Sequence, residues 1–484
     1  MRPGEGRPGA LSPEFSSYPV STSNLMKTIT PLILAAPLFL AGCSLEPMLQ
    51  RVTTPVSTEF PGNTGGDISA DISWQKFFTD PRLKKLVSLA LDNNRDLRVA
   101  ALNVEQVRAQ YRISRADLFP TVDLSASGTR ARTPGSLAAG RAASESHSYD
   151  VSVGVTAYEL DLFGRVSSLN HQALEQYFAS DAARVGAQIS LVAEVANQYF
   201  TERALLEQID LSEQTLKAVS DTYNLTNKRF EAGDVSELDL RSVDIQVQTA
   251  KANLAAFNQQ LAQSRNAMGV LLGSGVPGNL PGGRTLEEGL VAEVKAGVPS
   301  SLLQRRPDIR EAEHQLQGAN ANIGAARAAF FPRVTLTGSA GTASASFDHL
   351  FQSGTTAWSF APQISVPIFD GGRNKATLDA AVLGKDIQFA RYEKAIQTAF
   401  REVADGLAAR SGLNDQIKAY DGLVEAQQKR FDLATARYDQ GVDSYFEVLT
   451  AQQDLFNAKQ TRIRLRLSRA SNSVNLYKAL GGGW

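Results

Sequence analysis

Cysteine is almost missing from this chain of 484 residues: Cys43 stands alone, so no disulfide can close within one copy and no cysteine-based metal site can form. Histidine is nearly as scarce, and His147, His171, His314 and His349 lie too far apart in sequence to suggest a metal cluster. Neither sign of charge prevails. The 49 Lys and Arg against 50 Asp and Glu leave a net charge of -1, without the basic excess of a nucleic-acid binder, so no nucleic-acid partner is expected. A phosphate-cradling glycine loop, a zinc-spaced Cys/His set and a nucleophile elbow are all absent, which disfavours an enzyme. What is present is 43% hydrophobic and 20% charged residues, enough to form a packed core and too apolar for global disorder.

The context of Cys43 is informative. Met26 and Lys27 precede an apolar run from Ile29 to Leu40, and Leu40-Ala41-Gly42 leads into the cysteine. A positive start, a short apolar core and small residues before a cut describe a secretory signal. The run of 12 residues is short of the roughly 20 that a spanning helix needs. Residues 1–42 therefore read as an upstream extension, Gly/Pro/Ser-rich ahead of Met26, plus a signal peptide. A cysteine directly after Leu-Ala-Gly resembles the lipobox of bacterial lipoproteins. That resemblance implies cleavage before Cys43, diacylglycerol on its thiol and an acyl chain on the new amine, with no other cofactor. Ser44, in place of Asp, implies sorting to the outer membrane.

Beyond a lipidated N-terminal segment (43–79), the chain repeats itself. Arg-Ala-Asp-Leu-Phe-Pro120 answers to Arg-Ala-Ala-Phe-Phe-Pro332, 212 residues on. Glu-Leu-Asp-Leu-Phe-Gly-Arg165 answers to Val-Pro-Ile-Phe-Asp-Gly-Gly-Arg373, and Lys-Arg-Phe-Glu-Ala-Gly233 to Ala-Arg-Tyr-Asp-Gln-Gly441, each 208 residues apart. Three landmarks in constant order predict a duplication, with repeats at 80–272 and 301–484 joined by a linker at 273–300. In each repeat a helical stretch (80–117, 300–328) ends at Phe-Pro, because proline cannot continue the helix. Period-2 alternation then predicts strands at about 121–130, 148–163, 333–345 and 356–369. Phe347, Phe351, Trp358 and Phe360 suit the aromatic girdle of a membrane barrel. Proline-free helical patterns follow at 165–231 and 373–439, roughly 100 Å each at 1.5 Å per residue. A glycine turn and a returning helix of roughly 38 residues complete each repeat.

Four strands cannot close a barrel in lipid, so copies of the chain must complete it. Two copies give eight strands, a barrel filled by its own side chains; three give twelve, which leave a lumen. The chain resembles the TolC-like outer-membrane factors of tripartite efflux pumps, in their lipidated drug-efflux branch. The resemblance covers 43–484 and rests on the lipobox, Asn93-Asn94-Arg95-Asp96-Leu97-Arg98, Tyr158 to Arg165, Gln304-Arg-Arg-Pro-Asp-Ile309, Ala319 to Pro332 and the ending Leu476 to Trp484. It implies a mainly α fold with a transmembrane β portion: a homotrimeric 12-stranded β-barrel in the bacterial outer membrane, continuous with a long α-helical barrel in the periplasm and an equatorial belt. The implied partners are outer-membrane lipid, a periplasmic adaptor protein and an inner-membrane transporter of the RND type.

A passive duct needs no nucleophile, so its functional residues should control opening and docking. By the resemblance, the hairpin tips around Gly233 and Gly441 close the tube and contact the adaptor, and Tyr438 with Asp239 latches neighbouring hairpins. Phe446 falls at the position of an apolar ring. The usual aspartate of close relatives falls on Thr450, and a nearby arginine of one relative falls on Gln453, both departures. Glu447 lies about one turn from Thr450 on a similar face, so Phe446 and Glu447 are expected to form the gate rings. Three copies of Glu447 would favour cations in the lumen. Two other readings stay open: an exit duct for type I protein secretion, and a non-porous structural lipoprotein built on a coiled coil. The alternating segments and the duplication weigh against the second.

Overall fold

A computed structural model describes residues 44–49, 56, 72–137, 142–292 and 305–482. Cys43 and its expected lipid lie outside the described residues, as do Trp484, the whole segment 293–304 with Gln304, and all of 50–71 except residue 56. The chain forms two compact units, one of strands and one of helices.

The strand unit holds 121–165 and 331–366. Its four strands, β1 (Val122–Thr133), β2 (Ser144–Leu160), β3 (Arg333–Ser344) and β4 (Thr356–Ser365), pair antiparallel in chain order. β1 runs three residues past the predicted 130, and β2 starts four residues before 148, because Arg130, Ala131, Arg132 and Thr133 stay in register with His147, Ser146, Glu145 and Ser144. β4 stops at Ser365, short of the predicted 369, with Pro367 close behind. Among the described residues β1 and β4 each pair on one side only, so the sheet has two open edges.

Register gives the sheet two unlike faces. Val122, Leu124 and Ala126 stand beside Val155, Val153 and Val151, and the same face continues through Leu336, Val334 and Ala340 to Trp358, Phe360 and Ile364. The opposite face is lined with hydroxyls: Ser125 and Ser152 share a bond of 3.1 Å, Ser339 and Ser359 one of 2.8 Å, and Ser127 donates to Asp150. A β-bulge between Val155 and Tyr158 keeps the faces apart. Ala157 adopts φ +53° there and its N–H donates to Thr337 Oγ1 at 3.1 Å. The extra residue restores Tyr158 and Leu160 to the apolar face and leaves Glu159 on the polar one. There Glu159 receives Arg165 through two bonds of 2.7 Å and Arg333 at 2.7 Å.

The helical unit is built on two helices of equal length, α4 (Arg165–Glu231) and α7 (Arg373–Asp439), of 67 residues each, with all but Arg165 in this unit. Each is followed by a partner, α5 (Glu237–Leu272) and α8 (Tyr445–Ala479). The short α1 (Trp74–Phe77) precedes α2 (Pro81–Asn93) and α3 (Arg95–Ala116), and α6 is Pro307–Ala328. The single stretch expected over 80–117 is thus broken at Asn94. Its backbone is extended (φ -60°, ψ 133°), its Oδ1 caps α3 through Leu97 N–H at 2.9 Å, and its Nδ2 donates to Leu271 O at 2.9 Å.

The largest core lies where the N-terminal helices, 276–292 and the end of α8 meet. Phe77 stacks on Tyr477 with ring centroids 4.0 Å apart. Asp80, fully buried, accepts from Arg82 N–H, Leu83 N–H, Arg284 N–H and the Tyr199 hydroxyl, and the phenol is raised by burial first and by this bond second. Arg306 bonds Asp308, Glu402 at 2.7 Å and Ala479 O at 2.9 Å, which fixes the start of α6 against α7 and α8. Among the described residues no helix is long and apolar enough to cross a membrane.

Candidate functional site

The two hairpin tips share one backbone plan. At the first, Gly233 N–H donates to Phe230 O at 2.9 Å and Asp234 N–H to Arg229 O at 2.8 Å. At the second, Gly441 N–H donates to Tyr438 O at 2.9 Å and Val442 N–H to Arg437 O at 3.0 Å. Both are Schellman closures around a left-handed glycine, with φ of +84° and +73°. A Cβ added to either glycine would meet no atom within 4 Å, so conformation alone selects glycine. A serine three residues later, Ser236 or Ser444, then occupies the N-cap of the returning helix.

The side chains diverge at once. In the first tip Asp239 closes a capping box: its N–H donates to Ser236 Oγ at 3.2 Å, and its carboxylate accepts from Ser236 N–H at 3.3 Å and from the hydroxyl at 2.7 Å. The residue 208 positions on is Glu447, and Ser444 makes no side-chain cap bond at all. Arg437 grips Asp443 instead, with bonds of 2.5 and 2.9 Å, and holds that carboxyl below the usual carboxylate range.

Beneath the tips an apolar cluster joins the hairpins. Val243, Tyr445, Val448 and Leu449 are buried against Tyr223, Phe431, Ala434 and Tyr438. The Tyr438 and Tyr445 rings meet edge-on at 5.1 Å, and burial pushes the Tyr445 phenol up to about 12. The Tyr438 hydroxyl accepts from Arg229 Nη1 at 3.3 Å, and the guanidinium carbon lies 5.7 Å from the ring centre.

Each residue expected to form the gate has a definite place. Phe446 is 68% exposed, as is its counterpart Leu238 at 75%. Glu447 is exposed beside Phe446, and Gln453 is half-buried further along α8. Thr450 spends its hydroxyl on Phe446 O, one turn back, at 2.9 Å. Within one chain Tyr438 bonds Arg229 and Asp239 bonds Ser236, because the capping box lies closer to hand than the other hairpin. The working roles of Arg229, Asp443 and Tyr445 were missed by sequence reasoning. The 208-residue offset was the available signal, since it sets Arg229 against Arg437 and Asp239 against Glu447.

A model of the family described as outer membrane efflux protein matches twice, at residues 86–274 and 298–482. The antibiotic efflux pump outer membrane protein ArpC of Pseudomonas putida is 49% identical over 452 residues, 92% of this chain and 93% of the relative. The solvent efflux pump outer membrane protein SrpC of Pseudomonas putida is 50% identical over 458 residues, 92% and 97% of the two chains. The open-state MtrE outer membrane channel of Neisseria gonorrhoeae superposes with a TM-score of 0.84 at 41% identity, covering 91% of this chain and 98% of that one.

Proposed function

The chain belongs to the outer membrane efflux protein family, and from that membership we propose that three copies form the exit duct of a tripartite multidrug efflux pump. Its place is the bacterial outer membrane, and its helices extend into the periplasm. A duct carries compounds down a path opened by others, so the periplasmic adaptor and the inner-membrane transporter of the RND type supply the work. The observation that carries the reading is the open, two-faced sheet. An unpaired strand edge in lipid leaves backbone groups without partners, so β1 of one copy needs β4 of the next. Three copies give twelve strands, with the valine face toward lipid and the serine face toward water.

At the tips, Phe446 supplies an apolar ring and Glu447 a carboxylate ring, with Thr450 a weak position above them. Tyr438 and Asp239 act as a latch between neighbouring hairpins, and Gly233 and Gly441 carry the turns that meet the adaptor. Cys43 holds the diacylglycerol and the N-acyl chain, so Cys43→Ser weakens membrane anchorage while the fold persists. The test is single-channel conductance in planar bilayers, comparing the protein with Tyr438→Phe/Glu447→Ala. A small cation-selective conductance that grows in the variant is expected. No conductance from either protein, with the trimer intact, would overturn the duct.

A further inference from the structure

Charge on the apolar face of the sheet is confined to one end. Among the described strand residues that share the face of Val122 and Leu124, those with a guanidinium, carboxylate or imidazole group are Arg130 and Arg132 on β1 and His147 and Glu145 opposite them on β2. All four stand at the loop end of the hairpin. At the other end, where the strands lead into helices, the Glu159 carboxylate pairs with both Arg165 and Arg333 on or beside the serine face. Arg130 reaches Glu145 at 3.1 Å with both side chains well exposed, and Arg132, also exposed, makes no ion pair among the described residues.

Two basic residues at the end of a lipid-facing strand have a defined depth. Arg130 lies eight residues beyond Val122, roughly 26 Å along the strand, or about 20 Å of membrane depth at the usual strand tilt. That is close to the height of the apolar band of such barrels, so the guanidinium groups emerge where hydrocarbon gives way to headgroups. Aromatic side chains mark the same level. Tyr149, two residues from His147, meets Phe347 edge-on at 5.8 Å, and Phe351 is exposed in the loop of the second hairpin.

We infer that the loop end of this face binds a lipid whose headgroup carries several phosphates, of the lipid A kind that fills the outer leaflet. The inference rests on the barrel reading above, which places the loop end at the outer surface. Arginine suits phosphate through its planar, paired donors, and acyl chains lie along the valine face below. Arg132 offers an unspent cation, and a phosphate can draw Arg130 from its exposed pair with Glu145.

The experiment is native mass spectrometry of the full-chain trimer in detergent, titrated with bis-phosphorylated lipid A, its dephosphorylated form and phosphatidylethanolamine. The unaltered protein should retain the bis-phosphorylated lipid in preference to the other two. Arg130→Gln/Arg132→Gln should bind it roughly thirty-fold more weakly, the loss of two basic residues at an anionic leaflet. Arg130→Lys/Arg132→Lys should recover most of the binding, and Arg401→Gln/Lys418→Gln, an equal loss of charge on the helices, should change nothing. If the double variant does not trimerise, Arg132→Gln alone should weaken binding about five-fold. Equal retention of the dephosphorylated lipid, an unaffected glutamine variant, or displacement by inorganic phosphate alone would overturn the site. Conductance of the same preparations is read separately: a silent trimer that still selects the phosphorylated lipid counts against the duct, and a conducting one without selectivity against this site.

Discussion

The first and second hairpin tips began as one design and now do different things with it. Both end a 67-residue helix on a left-handed glycine and restart on a serine. The first turns its carboxylate inward, where Asp239 completes a capping box. The second carries a carboxylate one methylene longer, leaves Ser444 without a side-chain cap bond, and presents Glu447 to solvent next to exposed Phe446. The backbone plan survived duplication because glycine conformation and helix capping are local needs. The side chains parted because only the first tip uses its carboxylate to cap its own helix.

The largest expected difference between matched positions is at Tyr445 and Glu237, which are 208 residues apart. Tyr445→Ala removes a buried ring from the cluster under both tips and should cost about 3 kcal/mol of local stability. Glu237→Ala removes an exposed pair with Arg241 and should cost under about 0.5 kcal/mol. Hydrogen exchange at the tips measures both; equal losses would show that the cluster does not join the hairpins. Next come Gly233→Ala and Gly441→Ala, each expected to cost about 1 kcal/mol through backbone strain alone. Unequal values, read as shifts in thermal unfolding, would break the claim of a shared backbone plan.

Asp239→Ala should cost about 1 kcal/mol by fraying the start of α5, whereas Glu447→Ala should leave stability within about 0.5 kcal/mol and alter conductance instead. A stability loss at Glu447 matching that at Asp239 would return the second tip to a plain cap. The smallest effect is with pH. Arg437 holds Asp443 below its ordinary value, so its contribution is complete above about pH 4 and is lost as pH falls through the lowered folded value. Val235, at the matching place in the first tip, has nothing to titrate. Peptic cleavage at the second tip should therefore rise against the first as pH drops from about 4 to about 2. No change in the ratio would remove the Arg437–Asp443 pair from the account.

Much of this was legible because periodicity and punctuation are local. Gly164 before Arg165 and Gly371-Gly372 before Arg373 mark where the long helices begin, and Phe-Pro marks where the strands start. The break at Asn94 was hidden: asparagine within a helical pattern looks like a surface residue until Leu271, far along the chain, receives its amide. The bulge at Ala157 was hidden too, since one extra residue in an alternating run shows only when the partner strand is known. At the tips, the glycines could be read from sequence, but the meeting of Arg229 with Tyr438 joins two hairpins that sequence places far apart.

The equal length of α4 and α7 also sets how this chain can be edited over generations. An inserted residue in either helix would advance everything beyond it by about 1.5 Å and turn it by about 100°, carrying buried side chains to the wrong side and leaving the tips out of step. The interval between the Phe-Pro landmarks and the helix starts is four residues longer in the first repeat than in the second, while the interval from helix start to tip glycine is identical. The helices serve as matched rulers, and drift in length has been left to the strands and their loops.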